Sequence, residues 1–344
     1  MSITKSLFGR FDDKPVYCFT LTNTKGNSVS IINYGATVIS WCVSDKKNNV
    51  RDIVTGFNEL DSYLKNDVYM GCAVGRYANR IANGKFTINQ KEYQLNCNNG
   101  SNHLHGGVMG FDKVFWHAEI IEHSISTLSL TYFSKDGAEG YPGNLKVKIE
   151  YTYTDADELV INYFADTDAA TPVNLTNHCY FNLSGNVSKN ILDHSLQINA
   201  AYFTAVDDGQ IPTGQLTAVE KTAFDFNTPK KIGHNFADTN NGYDHNYVLN
   251  IGDDELALAA ILADAEDELQ LYVFTTEPGI QLYTGNYLNG SLINKDEKPI
   301  GKHAALCLET QHFPDSPNHP HFPTTILQPG EVFTSKTIYK ITVA

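Results

Sequence analysis

Residues 145–154 read LKVKIEYTYT, and they alternate without a fault. Leu145, Val147, Ile149, Tyr151 and Tyr153 fall on one side, with Lys146, Lys148, Glu150, Thr152 and Thr154 on the other. A period of two sends successive side chains to opposite faces of an extended chain, so the stretch predicts a half-buried β-strand. Asp155-Ala156-Asp157 follows as a short turn, and residues 158–165 (ELVINYFA) run back, which predicts a hairpin.

Working outward from this hairpin, Val, Ile, Thr, Tyr and Phe dominate residues 28–43, 128–134, 194–206, 268–276, 279–288, 303–309 and 331–343. Branched and aromatic side chains suit a pleated, half-buried surface. The 19 tyrosines and 18 phenylalanines fit large sheets better than helix bundles. Helical signal is sparse. Residues 58–66 (NELDSYLKN) suit one or two turns. Residues 254–263 (DELALAAILA) are rich in good helix formers. The Asp264-Ala265-Glu266-Asp267 turn that follows leads into the strand at 268, so we read 254–263 as a strand. The Pro-rich stretch 312–323 keeps its aromatics and reads as an ordered loop. With no linker and no repeat of fixed period, residues 1–344 are expected to form one domain. The fold class is all-β, a large antiparallel β-sandwich.

Composition narrows the function. Of 344 residues, 42% are hydrophobic and 19% charged, which supports a sizeable core. The net charge of −14 argues against a nucleic-acid partner, since phosphate neutralisation needs clustered Lys and Arg. It also disfavours a phosphorylated substrate. The longest apolar run, Leu256 to Ala263, is far short of a membrane span. Met1 to Lys14 has no apolar stretch of a signal peptide. The six cysteines form no CxxC pair and read as scattered buried thiols of a reducing compartment. A cytoplasmic protein is expected; no oligomeric state follows from the sequence.

Five segments carry unusual chemistry. In 71–84 (GCAVGRYANRIANG), two arginines and two asparagines sit among small residues. Taken alone, this is a strand and turn with Arg76 and Arg80 in surface pairs. In 102–107 (NHLHGG), His103 and His105 share a face if the segment is a strand. No third ligand follows at metal-binding spacing, so no metal is expected. In 171–183 (TPVNLTNHCYFNL), Asn174, Thr176 and His178 share one parity, a polar face suited to sugar hydroxyls. Cys179 beside His178 makes no dyad, because strand neighbours point apart. In 242–247 (GYDHNY), Asp244 is either a turn residue or a binder of two vicinal hydroxyls. In 303–314 (HAALCLETQHFP), Glu309 ends an apolar strand whose same-parity residues include Ala305 and Cys307. Either the strand reaches solvent there, or the carboxylate is buried for use.

Taken together, these stretches resemble the galactose mutarotase family of aldose 1-epimerases. The resemblance rests on GRYANRI at 75–81, LHGG at 104–107, PVNLTNHCYFNLSG at 172–185, GYDHNY at 242–247, EPGIQLYTGN at 277–286 and ETQHFPDSPN at 309–318. They fall in the family's order and cover the chain from near residue 30 to its end. The resemblance implies a single β-sandwich with a cleft on one sheet, a free aldohexose substrate and no cofactor. It implies Glu309 as base, His178 as principal acid and His105 as an assisting group. It implies that Asn79, Arg80, Asp244 and Gln281 hold hydroxyls.

The chemistry suits those residue types. Opening a pyranose breaks C1–O5 while the C1 hydroxyl loses a proton and O5 gains one, which one base and one acid perform together. The expectation at neutral pH is a Glu309 carboxylate and a protonated His178. Three rivals stand beside this reading. A glucose-6-phosphate 1-epimerase needs extra cations over the C6 end. A glycoside hydrolase needs two carboxylates across the bond, and Asp244 is a poor second. A non-catalytic sugar-binding protein does not need both Glu309 and His178.

Overall fold

The computed structural model describes residues 2–122, 126–239, 241–252, 255–266 and 268–343. The alternating stretch that opens the sequence reading forms strand Leu145–Tyr153, and its run back forms Glu158–Thr167. They pair antiparallel with Leu145 opposite Thr167 and Tyr153 opposite Leu159. The five apolar positions are buried, as the pattern dictates. This hairpin sits within a nine-stranded sheet. The last strand, Val332–Val343, lies between Glu158–Thr167 and Leu269–Thr275, so the end of the chain closes the middle of the sheet.

Two five-stranded sheets accompany it. One is a meander of Ser2–Phe11, Lys14–Thr22, Ser28–Ile32, Thr37–Ser44 and Val50–Asp52. The other runs Pro212–Ala218, Ala200–Val206, Asp244–Leu249, Gly279–Tyr283, Cys307–Gln311 in spatial order. One buried cluster joins all three sheets: Val29 and Trp41 from the first, Ile149 and Tyr151 from the largest, Ile280, Leu282 and Leu308 from the third. The layers are also stitched by hydroxyls. Tyr151 donates to the Ala36 carbonyl at 2.9 Å, and Tyr339 donates to the Leu308 carbonyl at 2.8 Å. The Thr310 and Thr337 hydroxyls meet at 2.6 Å. A buried tyrosine contributes its ring to the core only if its hydroxyl finds a partner, and these do.

The ambiguous stretch 254–263 forms strand Ala257–Ala263 against Leu269–Thr275. Asp254 and Asp267 lie outside the described residues. Helix Leu60–Lys65 falls inside the expected 58–66. The expected strand at 279–288 stops at Tyr283, and that at 303–309 begins only at Cys307. The hairpin Ser2–Phe11 with Lys14–Thr22 gave no sequence signal, because its first strand is an edge with solvent against most of its residues. All six cysteines are free thiols, but Cys97 is exposed and Cys42 half-buried, so the expectation of uniform burial fails.

Tyr151→Phe removes the donor to a buried carbonyl while keeping the ring. We expect stability to fall by about 1–2 kcal/mol. The urea midpoint should drop at unchanged slope; an unshifted midpoint would show that this stitch between layers is without weight.

Candidate active site

The site is built on the register of the third sheet. In strand Cys307–Gln311, Leu308 and Thr310 turn to the core, which sends Cys307, Glu309 and Gln311 the other way. Gln281 pairs opposite Glu309, Tyr283 opposite Cys307, and Asp244 opposite Tyr283. Directly opposed residues share a face. Asp244, Gln281, Tyr283 and Glu309 therefore form one polar surface backed by the core.

Residues drawn from 65–69, 79–80, 99–105, 178–180, 208–210 and 287–292 complete this surface as a cleft of about 900 Å³. All seven residues expected at the site line it: Asn79, Arg80, His105, His178, Asp244, Gln281 and Glu309. His178 Nε2 lies 3.6 Å from Glu309 Oε1, and the two histidine rings meet edge to face at 5.3 Å. At 3.6 Å the acid–base pair is not hydrogen-bonded. Gln281 Nε2 donates to Asp244 Oδ1 at 2.7 Å. Arg80 is only 8% exposed. Its Nε donates to Asn99 Oδ1 at 3.2 Å, and among the described residues no ion pair engages it. Glu309 Oε2 and Gln281 Oε1 are buried without a hydrogen-bond partner. Buried polar atoms left this way are costly, so the face is built to receive donors from a ligand.

Burial sets the charges. It pushes the Glu309 carboxyl well above its ordinary range; the nearby Asp244 adds to this and Arg80 opposes it. It pulls His178 down to about 4. His105 falls well below the usual histidine range through burial, then through the nearby His178 and Arg80.

Several expectations are corrected. Arg76 and Arg80 form no surface pairs. Arg76 is 2% exposed, and its guanidinium donates to the Pro142 and Gly143 carbonyls and to Ser134 Oγ. His103 and His105 do not share a face, because the strand ends at Leu104 and His105 takes φ 50°. His103 turns instead to Tyr141 Oη and the Asn96 carbonyl. The polar parity of 174–178 is not a continuous strand, which covers only Thr176–Asn177. Asn174 braces the chain there, accepting from His312 N–H and donating to the Ala78 carbonyl. Glu309 does not reach solvent: it is 2% exposed and its strand continues to Gln311. Sequence reasoning missed Tyr69, which packs on His105 at 4.5 Å between centroids, and Cys307, whose Sγ lies 3.4 Å from His178 Nδ1. The parity of Cys307 with Glu309 was the available signal for the second.

A family model described as aldose 1-epimerase matches residues 17–340. The chain belongs to the aldose 1-epimerase family. It is 45% identical to a galactose mutarotase of Bos taurus, with all of both chains covered. It is 38% identical to an aldose 1-epimerase of Escherichia coli (strain K12), covering 96% of each. A solved galactose 1-epimerase from Lactobacillus acidophilus superposes with TM-score 0.88 at 31% identity, over 100% of this chain and 99% of that one.

Within this epimerase fold, His105, His178 and Glu309 bring donor atoms to within 4.8 Å of one another, a set of three that resembles a metal site. Sequence spacing could not show this cluster. The hydrogen bonding of His105 argues against that use. Asn79 N–H donates to His105 Nδ1 at 3.1 Å, and His105 N–H donates back to the Asn79 carbonyl at 3.0 Å. With Nδ1 accepting, the neutral ring carries its proton on Nε2. Neither nitrogen then offers a free lone pair to an ion. One close approach enforces the pose: a Cβ on Gly106 would lie 1.8 Å from the Gly75 carbonyl oxygen, so only glycine fits beside His105. Gly106 thus pins His105 rather than freeing it.

Prolonged treatment with a strong chelator is therefore expected to leave anomer interconversion at the parent rate. Loss of rate restored by zinc would overturn the assigned His105 tautomer.

Proposed function

We propose that the protein interconverts the α and β anomers of free aldohexoses such as galactose and glucose, with Glu309 and His178 exchanging acid and base roles. The observation that carries this is the 3.6 Å gap between Glu309 Oε1 and His178 Nε2, facing a cleft of hydroxyl-binding groups. That gap is one that a sugar oxygen can bridge.

In the forward step, the C1 hydroxyl proton passes to the Glu309 carboxylate and His178 Nε2 gives its proton to O5. The C1–O5 bond breaks and C1 becomes an aldehyde. After rotation about C1–C2, the C5 hydroxyl returns its proton to His178 and attacks C1, while Glu309 protonates the carbonyl oxygen. Asn79, Arg80, Asp244 and Gln281 hold the remaining hydroxyls, so the open chain stays oriented for reclosure. His105, with its proton on Nε2, serves as a fixed donor rather than a shuttle.

Burial weighs against the expected resting charges. In the buried site the one proton that the pair shares rests on Glu309, with His178 neutral. The charged and discharged pairs hold the same number of protons and differ by one transfer across the gap. Ring opening converts the charged pair into the discharged one. Desolvation favours the discharged pair, and so lowers the cost of the open-chain state.

The lining opposes a phosphorylated substrate. Asp67, Asp208 and Asp244 face the same cavity as Arg80 and Lys65, and Lys65 already pairs with Asp61 at 3.0 Å. A hexose 6-phosphate would meet net negative charge. The hydrolase reading is weakened because Asp244 is engaged by Gln281. We further read residues 1–344 as one domain, supported by a buried cluster running from Phe19 to Ile341. Among the described residues no helix is long and apolar enough to cross a membrane. Free thiols fit the cytoplasm, where we place this enzyme of hexose metabolism.

Polarimetry of fresh α-D-galactose, α-D-glucose and glucose 6-phosphate tests the reading. Relaxation should accelerate for the free sugars, and Glu309→Gln should lower turnover by roughly 10²–10⁴. Acceleration confined to the phosphate ester would select the rival epimerase, and no acceleration would remove the function proposed.

The pH profile separates the histidines. The active pair holds one proton. As pH falls through about 4, His178 takes up a second proton while Glu309 keeps its own, and the base is lost. As pH rises through the elevated Glu309 value, the shared proton leaves and the acid is lost. We expect the acid limb of kcat/KM near 4 rather than near the free histidine value, absent in His178→Asn and retained in His105→Asn. The opposite pattern would exchange the two roles.

A further inference from the structure

A proton shuttle at Nε2 of His178 works only if Nδ1 keeps its own proton throughout. If the ring changes tautomer, Nε2 is protonated in the discharged state and can no longer receive the proton of the C5 hydroxyl. Something must therefore face Nδ1 that accepts from it, without stabilising the imidazolium so strongly that Nε2 cannot let go.

Cys307 stands at that position. Its Sγ lies 3.4 Å from His178 Nδ1, and its side chain is fully buried. Cys307 and Glu309 are two apart on one strand, so they share a face. One strand thus holds both ends of the imidazole, sulfur at Nδ1 and the carboxyl oxygen at Nε2. The ring is further confined by Tyr180 at 5.1 Å and Tyr69 at 5.9 Å between centroids. The backbone is fixed as well: His178 N–H donates to the Cys72 carbonyl at 2.9 Å, and its carbonyl accepts from Gly71 N–H at 3.0 Å.

We propose that Cys307 is a positioning residue for the reaction: its sulfur accepts from Nδ1–H of His178, holds the ring in the tautomer that leaves Nε2 free to shuttle, and does so without adding a charge. This rests on the assignment of His178 as the acid. Burial, with Glu309 and other groups nearby, pushes the Cys307 thiol well up, so sulfur stays a neutral thiol across the working pH range. A thiol sulfur is a weak acceptor. A carboxylate in its place would stabilise the imidazolium and trap the proton on His178. The contrast with His105 is informative. There a backbone N–H faces Nδ1 and forces the proton to Nε2, which makes a fixed donor. At His178 a sulfur faces Nδ1 and leaves Nε2 to exchange.

The test combines kinetics with 15N NMR of histidine-labelled protein. In the parent at neutral pH, the His178 signals should show Nδ1 protonated and Nε2 not. Cys307→Ala should lower kcat about 2- to 10-fold, the worth of one weak hydrogen bond, with KM nearly unchanged. It should also mix the two His178 tautomers. Cys307→Ser, which keeps an acceptor at a similar reach, should recover much of the lost kcat and the single tautomer. Cys179→Ala removes a buried thiol that packs in the core instead, and should keep the parent tautomer and pH profile. Parent spectra with the proton on Nε2 would overturn the proposal. So would a Cys307→Ala enzyme with parent kcat and a single tautomer, or a Cys179→Ala enzyme showing the same changes. These outcomes differ from failure of the function itself, in which the parent protein would not accelerate mutarotation at all.

Discussion

The antiparallel register of Asp244–Leu249, Gly279–Tyr283 and Cys307–Gln311 is the constraint on which the site depends. Side chains on a strand alternate, so a slip of one residue would exchange the two faces completely. Leu308 and Thr310 would enter the cleft, and Glu309 would be forced against the core. The native register is held from behind. Leu308 packs in the shared core while its carbonyl accepts from Tyr339, and Thr310 meets Thr337 on the central strand of the large sheet. The contacts that stabilise the sandwich are therefore the same ones that aim Glu309 into the cleft.

Burial, the consequence of that arrangement, sets the chemistry. Glu309 and His178 are both almost fully enclosed, and each is moved toward its neutral form. In water the same pair would separate charge freely. In the proposed mechanism, charge separation in the cleft needs the sugar's own oxygen between the two groups, which ties proton movement to substrate. Arg80 supplies the counterweight, a buried cation that lowers the Glu309 carboxyl against the effects of desolvation and Asp244.

Much of this was legible in the sequence, and for definable reasons. The perfect alternation of 145–154 declares a strand with one buried face, and the structure pairs it as expected. The site residues were legible because polar side chains interrupt apolar strand patterns: Glu309 after HAALCL, His178 amid NLTNH. Their grouping was not, since it depends on pairings between residues far apart, such as Gln281 with Glu309. The edge strand Ser2–Phe11 was invisible because an edge facing solvent needs no apolar alternation. Arg76 misled because a buried guanidinium that donates to carbonyls and hydroxyls distant in sequence leaves no mark in local sequence.

The two histidines show where composition stops and geometry begins. By residue type they are interchangeable, and both line the same cavity within contact of one another. What distinguishes them is the atom opposite Nδ1. A backbone amide cannot accept a proton, so the amide of Asn79 leaves His105 a single neutral form, and protonating the ring would set two N–H groups against each other. A sulfur can accept, so on the proposed assignment His178 keeps Nδ1–H and its second nitrogen remains available to Glu309 and the sugar. On this reading the same imidazole is a fixed donor in one setting and an exchanger in the other. The proposed assignment of His178 as the shuttle therefore rests on these neighbours.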